Sequence, residues 1–396
     1  MGKKTWFIVL MLLTLLSEGR QAQAPNQFTP VVVSPFTSKT QPVLGTDGQY
    51  HAVYELAFTN TRPETATLKK IAVLDASDAS PVIATYEGDA LLGRLRTLGN
   101  TAAGNPDIAF NGTRLFLLHL SFDSRDAIPP CLRHHLDLLG PTGPGDPTII
   151  PLSYTGAPFE LGRPRVPVLG PPLAGKGWVA LNGCCEADRG HRTTVLPVNG
   201  QLYFAQRYAI DWMRLDDQGR FVHGDPSDVR NYTAYGADVL AVANGTAVDT
   251  LNTLDDQVPP NDPDPRTITV QTVLGNHIVL AIGDGLFAFF AHLQKGSVTV
   301  KPGDQVKRGQ VLGKVGNTGN TSAPHLHFHL VDGASAIGSN GLPYVIDRFE
   351  LAGQLPAEQF AHAASLEGDW SQGRFAQPLR RHEQFPLDLV IVNFTP

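Results

Sequence analysis

The sequence predicts a mostly β protein with two domains. The chain has 396 residues, among them 31 prolines and 39 glycines, which end helices and form turns. Few long stretches show the apolar period of an amphipathic helix. Short strand-like segments recur between turn-rich pieces instead. The length is ample for two domains, so we expect two β-rich units in succession.

The N-terminus has the pattern of a secretory signal peptide. Residues 3 and 4 are lysines, residues 6–16 are largely apolar, and residues 22–24 have the small-residue pattern Ala-Gln-Ala. We therefore expect a signal peptide over 1–24 and a secreted or periplasmic mature protein. The apolar run is shorter than the ~20 residues that span a bilayer, so we expect no stable membrane anchor after cleavage.

Charge and cysteine content limit the partners and the cross-links. The net charge of −6 comes from mixed signs without a long basic run, so we expect no nucleic-acid partner. The three cysteines are Cys131, Cys184 and Cys185. An odd number in an oxidising compartment leaves two alternatives open: a bridge from Cys131 to one of the adjacent pair, or no bridge.

The first domain is predicted to be an antiparallel β-sandwich of the immunoglobulin type over residues 25–170. Strand-like segments at Tyr50 to Phe58, Leu68 to Leu74 and Leu115 to Phe122 are separated by turn-rich pieces. One short helix is expected at Asp89 to Leu98. The proline- and glycine-rich stretch 162–177 has the composition of a domain boundary.

The second half begins with a strong hairpin signal. Asn199-Gly200 lies between two strand-like segments, and Asn-Gly favours a two-residue turn. The second strand is expected to run from Leu202 to Ile210 and to present Asp211 at its end. Further strands are predicted at Thr267 to Val273, His277 to Ile282 and Leu286 to Phe290, the last continuing into His292.

A pair of histidines marks the most informative stretch of the chain. His325 and His327 are spaced i, i+2 on a segment that a glycine- and proline-rich turn precedes. On an extended strand this spacing points both imidazoles to one face. That geometry suits a metal or proton-transfer site.

Three motifs, taken together, resemble the lysostaphin/LytM family of zinc metalloendopeptidases. They are Ala-His-Leu at 291–293, the pattern Val-x-Pro-Gly-Asp-x-Val-x-x-Gly-Gln at 300–310, and the segment 316–328 that ends in Pro-His-Leu-His-Phe. The resemblance covers about residues 180–351. It implies a LytM-type antiparallel β domain with a duplicated hybrid motif over 171–351, a C-terminal extension over 352–396, and hydrolysis of peptide bonds in cell-wall peptidoglycan.

The resemblance also implies a role for each site residue. His327 would be a zinc ligand, and Asp211 would match the aspartate ligand that ends the family's HxxxD motif. His325 would be the general base, and His292 would stabilise the oxyanion or assist proton transfer. Zinc (Zn2+) needs about three protein ligands and an open position, and a nearby free histidine has a pKa suited to moving a proton.

The chain departs from this family at the first ligand. The histidine of HxxxD would fall at position 207, where this sequence has Arg207. Arginine does not lose its proton in proteins and cannot bind a metal. Two interpretations follow: another histidine completes the site, or the domain is catalytically degenerate and acts as a wall-binding or hydrolase-activating module.

His191 is the first candidate for the missing ligand. If the hairpin turn sets the register, His191 lies across from Tyr208, and a slip of one residue would place it opposite Arg207. A straight strand would leave Asp211 about 10 Å further along. The chain must therefore curl near Gly190 or near Asp211. His223 is the second candidate, and the more distant candidates are His277 and His329.

Overall fold

A computed structural model describes residues 26–395, apart from 78, 100, 144, 164, 188–189 and 363–365. The expected signal peptide lies outside the described residues. The described chain is mostly β with two short α-helices, which confirms the predicted fold class. Among the residues described, no helix is both long enough and apolar enough to cross a membrane.

The first part of the chain forms two sheets that pack on one apolar core. In chain order its elements are β1 (Val31–Pro35), β2 (Lys39–Thr40), β3 (Val43–Leu44), β4 (Tyr50–Asn60), β5 (Ala66–Asp75), β6 (Val82–Glu87), α1 (Gly88–Leu92), β7 (Leu95–Thr97), β8 (Asp107–Ile108), β9 (Thr113–Phe122), β10 (Cys131–Gly143) and β11 (Asp146–Leu161).

The two sheets have the layered arrangement of a β-sandwich. One has the strand order β1-β4-β9-β7 with β3 also on β4, and the other has β2-β11-β10-β5-β6 with β8 also on β5. Leu56 and Phe116 from the first sheet pack in the same cluster as Ile71 and Leu136 from the second. Because all four side chains are apolar, their common burial holds the two sheets together. The immunoglobulin type remains a prediction.

The predicted strands of this part match β4, β5 and β9, but the predicted helix is too long. Helix α1 ends at Leu92, and Leu95 belongs to β7. Leu95 pairs with Phe116 of β9 and is fully buried. Burial in the sandwich core therefore decides the conformation of this segment, over its local helix propensity.

The second part is dominated by one large sheet. In chain order its elements are β12 (Val168–Leu169), β13 (Gly175–Leu181), β14 (Leu196–Val198), β15 (Gln201–Tyr203), β16 (Ile210–Arg214), β17 (Asp238–Leu240), β18 (Gly245–Leu251), β19 (Asn276–Ala281), β20 (Phe287–Leu293), β21 (Gln305–Val306), β22 (Val311–Lys314), β23 (Leu326–Val331), β24 (Val345–Gln354), α2 (Ala357–His362), β25 (Arg374–Gln384) and β26 (Val390–Phe394). Short 3-10 turns lie at Arg125–Ala127, Gly190–Thr193, Val229–Asn231, Pro265–Thr267 and Ser371–Gly373.

The large sheet has the strand order β12-β24-β26-β13-β16-β23-β20-β19-β18-β21, with β25 on the free side of β24. Strands β16, β23 and β20 lie next to one another in its middle. The final strand β26 pairs with both β13 and β24, so the end of the chain is part of this sheet. Two small two-stranded sheets, the hairpin β14-β15 and the long-range pair β17-β22, complete the β structure of this part.

The predicted hairpin turn is present, but the strand after it is shorter than expected. Asn199 and Gly200 have φ values of 50° and 81°, the left-handed conformation that a type I′ turn requires. Strand β15 ends at Tyr203, and the chain turns before β16 begins at Ile210.

The strand predicted at Thr267 to Val273 is wrong. Pro265 begins a 3-10 turn, and the Asp264 carboxylate accepts a hydrogen bond from the Arg266 amide at 3.0 Å. Further on, the Thr269 amide donates to the Thr272 hydroxyl at 2.9 Å. Such local side-chain bonds satisfy backbone groups without a neighbouring strand.

The outer face of the first sandwich sheet packs against the second part of the chain. Val53 of β4 joins the core of the large sheet, while alternate residues of β4 face the sandwich core. Leu115 and Leu117 of β9 pack with Val195 and Phe204. Both faces of this sheet are therefore buried, and we call the contact region the junction.

The cysteine pairing differs from the predicted alternatives. Cys184 is bonded to its neighbour Cys185, and Cys131 is a free thiol. Cys131 begins β10, in the sandwich sheet that faces away from the junction, whereas Cys185 lies at the junction. Tertiary placement therefore separates Cys131 from the adjacent pair.

Candidate metal centre

Backbone pairing in the large sheet brings the strand residues of the site together. Asp211 of β16 is directly opposite His327 of β23, and His327 is opposite Ala291 of β20. Directly opposite residues on antiparallel strands are close neighbours, with side chains on the same face. The register of the sheet therefore fixes the distance between Asp211 and His327, whose Oδ1 and Nδ1 atoms are 2.8 Å apart.

His191 reaches the same carboxylate from a 3-10 turn. The turn Gly190–Thr193 places His191 Nε2 3.3 Å from Asp211 Oδ2, and His191 Nδ1 lies 3.2 Å from the carbonyl of Ala209. The predicted strand position opposite Tyr208 is therefore wrong. The chain does curl as required, because the segment between β15 and β16 folds back and returns Asp211 to His191.

The turn at Gly190 depends on a close approach. A Cβ atom at this position would lie 2.6 Å from Asn182 Oδ1. The Asn182 amide in turn donates to Asp211 Oδ2 at 2.8 Å. Glycine at 190 thus lets the His191 turn pack directly on a residue that orients the Asp211 carboxylate.

His325 and His292 flank the ligand group. His325 Nε2 is 3.3 Å from Asp211 Oδ1, and its Nδ1 donates to the Ala323 carbonyl at 2.8 Å. The His292 ring centroid is 4.8 Å from that of His325 and 5.8 Å from that of His327. Both rings are therefore close enough to act on a molecule bound at the Asp211 carboxylate.

The backbone holds His292 in an unusual conformation. Its φ of 61° lies in the left-handed region, which is costly for a residue with a side chain. The His292 amide donates to the Leu274 carbonyl at 2.9 Å, and its Nδ1 donates to the Thr318 carbonyl at 2.7 Å. These contacts maintain the strained conformation and fix the orientation of the ring.

The protonation of the rings leaves acceptor atoms around one point. Carbonyl oxygens only accept, so the Nδ1 atoms of His191 and His325 carry their protons, and their Nε2 atoms are lone pairs when the rings are neutral. Both lone pairs face the Asp211 carboxylate, which is itself an acceptor. Such a group needs a cation or protons among its members.

The donor set fits zinc. His191, Asp211 and His327 each offer a ligand atom, and these atoms all lie within 4.8 Å of one another. Two imidazole nitrogens and one carboxylate oxygen form a typical catalytic zinc set with room for a further ligand. His327 can supply Nδ1 because its Nε2 is hydrogen-bonded to His329 Nδ1 at 2.8 Å.

Burial and charge shift the pKa values of the site residues. Burial alone would raise the pKa of Asp211, but His191 and His325 hold it well below its ordinary value. Burial would lower the pKa of His325, yet the Asp211 carboxylate raises it overall. Burial, together with His325 and His327, holds the pKa of His292 well below its usual range. Asp211 is therefore an anion and His292 a neutral ring at neutral pH.

The other candidate histidines lie outside the ligand group. His223 is exposed and pairs with Asp216 at 2.7 Å. His277 binds the Gly275 carbonyl through Nδ1 at 2.8 Å. His329 contacts the side of the His327 ring that faces away from Asp211. The sequence contained a signal for this contact, because residues i and i+2 of a strand point to the same face.

Arg207 points away from the ligand group and into the junction. Its Nε donates to both carboxylate oxygens of Glu55, at 3.0 and 2.9 Å, and its Nη2 donates at 2.6 Å. Arg192, next to His191, donates to the same carboxylate and to the carbonyls of Tyr54 and Leu118 at 3.0 Å. Glu55 is therefore bound by two arginines, and all three side chains are buried.

This Arg192–Glu55–Arg207 group gives Arg207 a structural role at the junction. Glu55 belongs to β4 of the sandwich, whereas both arginines belong to segments that lead to His191 and Asp211. Burial would raise the pKa of Glu55, but Arg207 and Arg192 lower it overall. A buried carboxylate with two bound guanidinium groups stays ionised and fixes the positions of both segments.

Comparisons with known proteins agree with the motifs. Residues 229–338 match the sequence profile of Peptidase family M23. Over 57 residues the chain is 42% identical to the peptidoglycan DD-endopeptidase ShyA of Vibrio cholerae, and over 55 residues it is 49% identical to the glycyl-glycine endopeptidase ALE-1 of Staphylococcus capitis. Each match covers 14% of this chain, 13% of ShyA and 15% of ALE-1.

Among solved structures, the catalytic domain of lysostaphin from Staphylococcus simulans is 22% identical in sequence to this chain. The match covers 42% of this chain and 88% of that chain, and its TM-score is 0.24. The profile match contains His292, His325 and His327. The matched region begins after His191 and Asp211. The place of these two residues in the site therefore depends on their distances from His327 and from each other.

Proposed function

Since the chain contains a domain of Peptidase family M23, we propose that it is a zinc metalloendopeptidase that hydrolyses peptide bonds in bacterial cell-wall peptidoglycan. The observation that carries the proposal is the convergence of His191, Asp211 and His327 within 4.8 Å, with His325 and His292 beside them. We assign the activity to residues 171–351, which follow the segment 25–170; the last segment, 352–396, contributes β26 to the same large sheet.

The relatives support the substrate class. ShyA is a peptidoglycan DD-endopeptidase and ALE-1 is a glycyl-glycine endopeptidase. The names of the two enzymes specify different peptide bonds, but both enzymes are endopeptidases. We propose only this shared activity, hydrolysis of a peptide bond, for the present chain. A peptidoglycan substrate lies outside the cytoplasm, in agreement with the secretory pattern at residues 1–24 and a place in the cell envelope.

We propose His191, Asp211 and His327 as the zinc ligands. Zinc supplies Lewis-acid polarisation of a carbonyl and increases the acidity of water. Asp211 contributes the negative charge of the set, while Asn182 and the Ala209 carbonyl hold Asp211 and His191 in position. The chain thereby replaces the first ligand of the HxxxD motif with a histidine from a separate turn.

His325 is the proposed general base. Its Nδ1 proton is held by the Ala323 carbonyl, so Nε2 is the atom that can accept a proton, and it faces the ligand group. The Nδ1 atom of His292 likewise keeps its proton and donates it in a hydrogen bond to the Thr318 carbonyl. Its remaining nitrogen accepts in the neutral ring, which favours assistance in proton transfer over donation to an oxyanion in the resting state.

Zinc content and wall hydrolysis test the proposal together. We expect His327→Ala to lose one equivalent of zinc relative to the unsubstituted protein, because it removes a ligand. We expect His325→Ala to retain that zinc, because it removes the base. Both variants should lose hydrolysis of purified peptidoglycan, measured as released peptides by mass spectrometry, while the exposed His223→Ala control keeps both properties.

Two outcomes would contradict the proposal. Equal zinc retention in His327→Ala and His325→Ala would overturn the assignment of roles. Unsubstituted protein that holds far less than one equivalent of zinc, even after incubation with the metal, would favour the alternative of a degenerate wall-binding or hydrolase-activating module. Circular dichroism of each variant establishes that the comparison is made on folded protein.

A further inference from the structure

At the junction between the sandwich and the large sheet, we propose a second metal site with His51, His119 and Cys185 as ligands. His51 is on β4, His119 is on the neighbouring β9, and Cys185 follows β13. Their ligand atoms all lie within 4.8 Å of one another, and in the described part of the chain only this group and the candidate metal centre meet that condition.

Each histidine has a carboxylate behind it. His51 Nε2 is 3.0 Å from Asp47 Oδ1, and His119 Nδ1 is 3.4 Å from Glu186 Oε1. Because an ionised carboxylate only accepts, these outer ring nitrogens carry the protons. The inner nitrogens, His51 Nδ1 and His119 Nε2, are then lone pairs in the neutral rings. A carboxylate on the outer nitrogen of a ligating histidine is the usual arrangement around protein-bound metals.

The two inner nitrogens require a proton or a metal ion between them. They are 2.9 Å apart, a distance at which two lone pairs repel unless a proton or a metal ion lies between the rings. Zinc bonded to both nitrogens at about 2.0–2.1 Å would hold them roughly 3.4 Å apart in tetrahedral geometry. The rings would therefore separate by about half an ångström, a small rotation for either side chain.

Two observations favour a metal over a shared proton. A metal can use the nearby Cys185 sulfur as a third ligand, whereas a proton between the two rings cannot. A cavity of about 320 Å³, bordered by Asp47, Cys185 and Glu186, gives an ion room to enter from solvent.

The state of Cys185 controls the third ligand. In the structure its sulfur is bonded to Cys184, and a disulfide sulfur lacks the charge that makes a thiolate a good ligand. A phosphine reductant supplies two electrons and water supplies two protons, which break the bond and leave two thiols while the phosphine takes the oxygen of water and becomes a phosphine oxide. Metal binding then releases the Cys185 proton. The site is thus complete only in the reduced protein.

The donor set defines the chemical class of the ion. Two imidazoles and one thiolate favour a borderline or soft transition metal, such as zinc or monovalent copper, over magnesium or calcium. A bound ion would connect two sandwich strands to the segment that leads to His191. It would therefore hold the junction together without taking part in hydrolysis.

Zinc titration of the full-length protein tests this site. After reduction with a phosphine under argon, the unsubstituted protein should bind one more equivalent of zinc than after oxidation, measured by competition with a chromophoric chelator. His119→Gln and His51→Gln should lose this additional equivalent. The matched control is His135→Gln, since His135 is a half-buried strand histidine that bonds Ser153 and Thr155 away from the proposed site.

Cobalt gives a direct readout of the sulfur ligand. Reduced protein loaded with Co2+ should show a thiolate-to-cobalt absorption band in the near ultraviolet, and Cys185→Ser should lack it. Cys131→Ser, which removes the free thiol of β10, should keep the band. The candidate metal centre provides a folding control. Each junction variant should still bind the zinc equivalent that His191→Ala loses, which shows that the variant is folded at that centre.

Two results would overturn the site. If reduced unsubstituted protein and His119→Gln bind the same number of zinc equivalents, the two rings share a proton and no metal. If the additional zinc is present but Cys185→Ser keeps the cobalt band, Cys185 is not a ligand. The result is independent of the proposed hydrolase, because His119→Gln and His191→Ala report on different zinc equivalents.

Discussion

The described chain holds two clusters in which histidines meet an aspartate or a cysteine, and they differ in where the carboxylates lie. In the candidate metal centre, Asp211 is on the inner side, facing His191 and His327, and backbone carbonyls hold the outer nitrogens of His191 and His325. In the junction cluster, formed by His51, His119 and Cys185, the carboxylates of Asp47 and Glu186 are on the outer side, and the inner anion would be the Cys185 thiolate of the reduced protein.

This difference separates two uses of a carboxylate. An inner carboxylate contributes charge and a bond to the ion, so it determines whether a metal is held at all. An outer carboxylate fixes the tautomer of a ligating histidine and increases its basicity, which adjusts affinity more moderately. The two clusters also differ in how their anionic members are positioned. Strand pairing brings Asp211 to His327 in the first cluster, whereas the packing of the second part of the chain on the sandwich brings Cys185 to His51 and His119 of the paired strands β4 and β9.

Among the substitutions considered, Glu55→Gln should have the largest effect, and it acts on the stability of the fold. Glu55 lies at the junction, on the strand β4 that also carries His51. The variant leaves Arg192 and Arg207 buried without a carboxylate, and we expect a loss of about 3–5 kcal/mol in the free energy of unfolding, measured with urea. Glu160→Gln, an exposed glutamate on β11, is the control. A loss below about 1 kcal/mol would show that the arginines find other partners.

The acid dependence of stability gives a second measurement on the same variant. Arg207 and Arg192 hold the pKa of Glu55 below its ordinary value despite burial. Its charge therefore stabilises the fold above the unfolded value of about 4.3, and this contribution is lost as pH falls through the lower folded pKa. The unsubstituted protein should lose stability more steeply than Glu55→Gln over that acidic range.

Asp211→Asn should have the next largest effect, and it should be confined to the candidate metal centre. The change keeps the shape of the side chain but removes the inner charge, so we expect zinc affinity there to fall by more than about 100-fold, beyond the range for outer partners. Competition titration measures it. Asp249→Asn, a surface carboxylate 3.5 Å from His277, should leave both zinc equivalents unchanged; an unchanged affinity in Asp211→Asn would remove Asp211 from the ligand set.

Asp47→Asn should have the smallest effect of the three, and only at the junction cluster. It keeps a hydrogen-bond acceptor for His51 but removes the charge, so zinc affinity of the reduced protein should fall by about 10–100-fold there. Asp137→Asn, which alters a surface carboxylate 3.4 Å from His135, is the matched control. Equal losses for Asp47→Asn and Asp211→Asn at their own clusters would erase the distinction between inner and outer carboxylates.

Local patterns predicted those parts of the candidate site that lie on single strands. His325 and His327 were expected on one face because strand side chains alternate, and both now face Asp211. His191 was selected from the sequence, but its predicted strand position was wrong. A 3-10 turn at Gly190 and a break before Ile210 set its distance from Asp211, and neither has a periodic signature.

The sequence by itself determined the β class, the Asn199-Gly200 turn and the histidine spacing, because each depends on residues a few positions apart. Only the tertiary structure decided the rest. Glu55 and Arg207 are 152 positions apart, and their bond forms because the outer face of β4 packs against the second half of the chain. The same packing joins His51 to Cys185. Such contacts depend on how two sheets meet, and no local pattern of polarity contains that information.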